Sequence, residues 1–234
     1  MKIKILKYVS ILTLLLGLTA CDNLPLQDQY DFNPEVDTTD PFANMTAWEY
    51  IQTRNPALLS TGKYINDDFN YLVEAIKKAD MVEEFNQVTT KDRTYLLLNN
   101  TAFTGSGNVI QIVTGSSSVP TGETAEQTMA KVNTPEKLEK LKKVLRYHIV
   151  TTYIAQVPTL YNYDVWYLFQ TLIPGVDGLI AFSRDVRWTI TINRDPAPLP
   201  ATALAEWETV YNHNYVFKNG IGHMLRDPVR NKPY

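Results

Sequence analysis

The chain has 234 residues, a net charge of −3 at neutral pH and a pI near 5.7. A surface built to hold nucleic acid would carry more base than 22 Lys and Arg against 25 Asp and Glu, so nucleic acid is not an expected partner. A single cysteine leaves no intramolecular disulfide, and the chain is long enough to bury a core without one.

The first residues carry Lys2, Lys4 and Lys7, followed by an apolar run over residues 8–18 broken by Ser10, Thr13 and Gly17. A basic stretch before a short apolar one predicts a signal peptide over residues 1–20. The run is shorter than the roughly 20 apolar residues of a spanning helix. It ends in Leu18-Thr19-Ala20-Cys21, which resembles the lipobox of bacterial lipoproteins. That resemblance implies cleavage before Cys21, acylation of its thiol, and a membrane partner held through the lipid. It points to an outer-membrane lipoprotein at the cell surface. Residues 21–45 then form the lipidated tether, rich in Asp, Asn, Pro and Gln and without sustained periodicity.

Order is expected from about residue 46. Thr46 and Glu49 have capping-box spacing for a short helix. Asn66 or Asp67 can cap a helix over residues 69–79, where Phe69, Leu72, Val73, Ile76 and Ala79 share one face. A short helix is expected over residues 81–86. Residues 93–98, with Tyr95-Leu96-Leu97-Leu98, read as a buried strand. The Gly- and Ser-rich stretch 105–120 surrounds Val109-Ile110-Gln111-Ile112-Val113, an edge strand or loop by its composition. Thr134-Pro135 opens the strongest helix, with Leu138, Leu141, Val144, Leu145 and His148 along one side.

Strands are expected beyond residue 150: over 164–172, over 178–183, and over 187–193, where Trp188, Ile190 and Ile192 alternate with polar residues. Pro196, Pro198 and Pro200 make 194–203 a loop. Residues 207–217 should hold another strand, and Asn219-Gly220 is a turn signal before a terminal strand over 221–229. Helices first and strands later argue an α+β domain over residues 46–234.

Three segments in this order resemble the fasciclin (FAS1) domain. They are Tyr95-Leu96-Leu97-Leu98-Asn99-Asn100-Thr101-Ala102-Phe103, then Leu145-Arg146-Tyr147-His148-Ile149-Val150, then Asn219-Gly220-Ile221-Gly222-His223-Met224-Leu225. Between them, Gln170-Thr171-Leu172 and Gly175 fall where the family has a Thr-Leu near a glycine. Leu98-Asn99-Asn100 departs from the family's Pro-Thr-Asn, and the stretch 151–218 is longer and more aromatic than a minimal domain. The resemblance implies a fold of N-terminal helices packed on a β-sheet or β-wedge core. It assigns structural roles to Asn99, Thr101, Phe103, Asn219, Gly220 and His223. It also implies a part in adhesion for Tyr147 and His148, and its lipoprotein-borne members belong to glycan-utilising Gram-negative bacteria.

No catalytic residue, metal ligand set or cofactor motif emerges. His148, His213 and His223 lack metal-ligand spacing. The expected function is therefore non-enzymatic: a membrane-anchored binding or adhesion module contacting glycan or protein. The alternative is an accessory subunit of a TonB-dependent outer-membrane transporter complex for glycan uptake. A glycan-active enzyme ranks last, because no motif supports converging carboxylates. The 14 tyrosines suit binding surfaces as well as strands.

Overall fold

A computed structural model describes residues 40–105, 107–200 and 207–229. The expected signal peptide, Cys21 and the tether as far as residue 39 lie outside the described residues. Residues 40–45 make turns, and the Phe42 ring lies 4.7 Å from that of Tyr50.

The helical part comes first. Helix α1 (Ala47–Thr53) carries the expected box, in which the Thr46 side chain accepts from Glu49 N–H while the Glu49 carboxylate accepts from Thr46 N–H. Helix α2 (Asn70–Lys78) buries Leu72, Val73 and Ile76, as its period predicts. Its start differs from the expectation. Phe69 is the cap residue and no side chain caps it. Asp67 instead takes the Asn99 amide at 3.1 Å, and the Asn66 carbonyl takes Thr101 N–H at 3.3 Å. Helix α3 (Val82–Asn86) follows, then strand β1 (Thr94–Leu98), buried throughout.

Helix α4 (Asn100–Phe103) is a single turn capped by the Asn99 side chain. The stretch expected to be an edge strand or loop is helix α5 (Val109–Thr114). Its β-branched residues favour a strand, but packing decides otherwise. Val109, Ile110 and Val113 point into the core at helical spacing, and Gly115 at φ 83 ends the turn. Helix α6 (Ala125–Ala130) is not among the expected elements, although Thr124 and Gln127 form a second capping box. Helix α7 (Pro135–Tyr147) has the predicted Thr134 cap and Pro start.

Eight strands are found among the described residues. Besides β1 they are β2 (Ile149–Val150), β3 (Tyr167–Gln170), β4 (Leu179–Arg184), β5 (Ile190–Ile192), β6 (Glu208–Thr209), β7 (Asn212–Phe217) and β8 (Gly220–Leu225). The first sheet has the order β2-β1-β8-β7 and the second β3-β4-β5-β6. All pairs are antiparallel except β1 with β8, which run parallel from Thr94 opposite Ile221 to Leu98 opposite Leu225. The sheets meet where Val150 bridges Thr171, and again where Val210 N–H bonds Ile190 O and Tyr211 N–H bonds Met224 O. The fold class is α+β, as the element order predicted.

The expected alternation over 187–193 fails at Trp188. Residues 185–188 turn the chain between β4 and β5, and Trp188 adopts φ 69 with half its surface in solvent. Thr191 and Asn193, expected outside, are buried. Among the described residues no helix is long and apolar enough to cross a membrane.

Asn219 ties these layers together. Its amide oxygen accepts from Ala47 N–H at 2.9 Å, one of the donors that α1 leaves unpaired at its start. Its nitrogen donates to Phe85 O at 2.8 Å and to the Tyr95 hydroxyl at 2.9 Å. Gly220 beside it has φ 151, and a Cβ there would sit 2.3 Å from Arg93 O. Replacing Asn219 by Ala removes three buried hydrogen bonds, so unfolding in urea should show a loss of about 2–4 kcal/mol. An unchanged midpoint would refute that role.

Candidate functional site

The family-implied contact residues are both interior. Tyr147 ends α7 fully buried, donating its hydroxyl to Leu179 O at 2.9 Å and accepting from the Asn193 amide at 3.0 Å. It thereby joins α7 to the second sheet. His148 is also buried, with Nδ1 2.7 Å from Val144 O and Nε2 accepting Val229 N–H at 3.0 Å. Neither ring reaches a surface where a partner could touch it. The pair holds α7 against the sheets, and a part in adhesion through direct contact does not fit this placement.

The remaining motif residues are packing elements too. Asn99 caps α4 through Ala102 N–H at 3.2 Å. The Thr101 carbonyl takes the Asn108 amide at 2.7 Å. Phe103 stacks on Tyr71 with centroids 5.9 Å apart. His223 is buried in β8, with Nε2 2.8 Å from Ile154 O and Nδ1 accepting Asn214 N–H at 3.3 Å. Among the described residues, no cluster of three or more His, Cys, Asp or Glu is placed to hold a metal ion.

A surface feature that the motifs did not indicate lies on the second sheet. The 160–165 loop and the 185–188 turn enclose an open cleft of about 790 Å³ lined by Tyr161, Tyr163, Val165, Arg184, Val186 and Trp188. Tyr161 is 70% exposed, Tyr163 57% and Trp188 50%. Arg184, by contrast, is 5% exposed and holds both walls. Its Nε donates to Leu160 O at 2.8 Å, and its Nη2 donates to Tyr161 O. Its guanidinium carbon lies 4.1 Å from the Trp188 ring centre, a cation–π contact. The Asp185 carboxylate accepts from Arg187 N–H and Thr189 N–H, each at 2.8 Å, and so clamps the turn. The aromatic excess of 151–218 is visible along the chain, but no local signal pairs residues 161–165 with 184–188.

A second, smaller cavity of about 240 Å³ lies among Tyr64, Tyr71, Asn100 and Glu123. Its polar groups are used internally: the Asn100 amide donates to Ile65 O at 2.7 Å and to Asn70 Oδ1 at 2.9 Å, and Glu123 pairs with Lys131.

No protein-family model and no curated protein matches the chain. Among solved structures, it is similar to a FAS1 domain pair from the insect cell adhesion molecule fasciclin I. Identity is 11% and the TM-score 0.45, over 80% of this chain and 51% of the other. The chain thus spans about half the length of that structure.

Burial pushes both His148 and His223 down from 6.5 to about 4, opposed by the carbonyls of Val144 and Ile154. Both rings are therefore neutral in the fold at neutral pH, His148 with its proton on Nδ1 and His223 on Nε2. Above pH 6.5 the unfolded chain is neutral at these rings as well, and their contribution is fully present. Below it, the unfolded chain binds protons that the folded chain refuses until about pH 4. Stability should fall across that window by up to about 3 kcal/mol per ring. Urea midpoints at pH 7.5 and 4.5 measure the loss, and the two ring signals in NMR should stay flat down to about pH 5. Ring signals titrating near pH 6.5 would show that the histidines are not held neutral.

Proposed function

We propose that this chain is a membrane-tethered binding module of the FAS1 type, anchored through Cys21 and contacting its ligand with the second sheet. The observation that carries this reading is the aromatic cleft. Large exposed rings on a clamped scaffold lose little entropy on binding, and Tyr, Trp and Arg dominate contact energetics. The motif segments support the FAS1 part of the reading, since each falls at a junction between layers: Asn99 at the start of α4, Tyr147 and His148 at the end of α7, and Asn219 at the mouth of β8. The lipobox resemblance supports the anchor, and with it an outer-membrane, surface-exposed location.

A second reading makes the chain an accessory subunit beside an outer-membrane transporter. The exposed surface continues beyond the cleft. Gln156 donates to Trp188 O and lies 3.2 Å from the His213 ring nitrogen, and Val157 next to it is exposed. That breadth suits a protein partner.

Two measurements test these readings. Cells grown with labelled palmitate should label the natural chain and not its Cys21→Ala variant; a natural chain that takes up no label would overturn the anchor. Gentle solubilisation followed by pull-down, run beside a glycan array, should recover a glycan or an envelope-protein partner. Failure with both classes would overturn the binding module, and recovery of a transporter would select the second reading.

A further inference from the structure

The shape of the cleft specifies more than a contact surface. We infer that it is a carbohydrate subsite, in which a sugar ring packs among the exposed rings of Tyr161, Tyr163 and Trp188 and one of its oxygens accepts a hydrogen bond from Arg184. This deepens the binding-module reading and rests on it.

The first support is the state of Arg184. A guanidinium has five N–H donors. Arg184 uses one each on the carbonyls of Leu160, Tyr161 and Asp185. No carboxylate pairs with it among the described residues, although the side chain is almost wholly buried. A buried cation with donors to spare, lining an open cleft, is matched by an oxygen-bearing ligand.

The second support is Trp188. Its backbone sits at φ 69, a left-handed region that is unfavourable for a bulky residue. The turn would form more cheaply with Gly or Asn at that position. What the strained backbone achieves is an indole set against the guanidinium on one side and half open to solvent. Asp185 and Gln156 hold the turn in that pose.

The third support is the character of the lining. Tyr161, Tyr163 and Trp188 each combine a flat apolar face with a polar edge. A pyranose has the complementary form, with C–H faces and a rim of hydroxyls. A lipid surface or a purely apolar peptide would leave the spare Arg184 donors without acceptors. The charges around the cleft are mixed, Arg184 and Arg187 against Asp164 and Asp185. Neutral and acidic sugars share the chemistry required, and the test separates them.

The experiment uses the full lipidated chain in detergent. Neutral oligosaccharides from glucan, mannan and xylan are titrated alongside acidic oligogalacturonate, with binding followed by calorimetry and Trp fluorescence. At least one should bind, and Trp188→Ala should weaken it ten-fold or more while the chain still unfolds in one cooperative transition. Trp188→Phe, which restores a ring, should recover most of the affinity. Preference for oligogalacturonate would identify a carboxylate as the group on Arg184, and preference for a neutral sugar would identify a hydroxyl. Binding that survives Trp188→Ala, or no binding across the whole panel, would overturn the inference. If an envelope protein is captured while no sugar in the panel binds, the carbohydrate subsite fails while the broader binding function stands.

Discussion

The parallel pairing of β1 with β8 is the constraint on which the rest of the molecule depends. It brings residues 94–98 beside residues 221–225, so most of the described chain is enclosed between two neighbouring strands. Loop closure over such a distance is entropically costly, and only dense packing on both sides offsets it. Asn219 stands where that pairing begins, with hydrogen bonds to α1, α3 and β1 at once. The helices cover one part of this frame, and the second sheet joins it at two seams.

The polar interior follows from the same frame. A helix end, a strand edge and a loop converge wherever the two sheets meet, and each brings backbone groups that must be paired. Tyr147, His148, His223 and Asn193 supply those bonds from side chains. Both histidines act as neutral donor–acceptor bridges, a role that burial enforces by disfavouring the charged ring. The residues that draw the eye as sequence motifs are thus the ones most completely spent on holding the fold.

The surface obeys a different logic. Apart from the buried Leu160, the 160–165 loop and the 185–188 turn face outward, and both are held by one buried arginine. A loop under that restraint presents its side chains in a fixed arrangement, which lowers the entropic cost of a contact. The strained Trp188 and the exposed rings around it are thus held by the fold rather than left to solvent.

Local signals in the sequence determined the helix starts at Thr46 and Thr134, the buried strand over Tyr95–Leu98, the hairpin before β8 and the α+β class. Each depends on residues within a few positions of one another, where capping chemistry and periodicity act directly. The helix at Val109–Thr114 and the outward turn at Trp188 were decided by tertiary packing, because a β-branched run and an alternating one are ambiguous until their neighbours are known. The same limit applies to function. Tyr147 and His148 are conspicuous along the chain but buried in the fold, and the cleft becomes visible only when Arg184 brings together two segments about twenty residues apart. Residue order carries the local chemistry; which side chains meet, and which face water, is settled by the closing of β1 on β8.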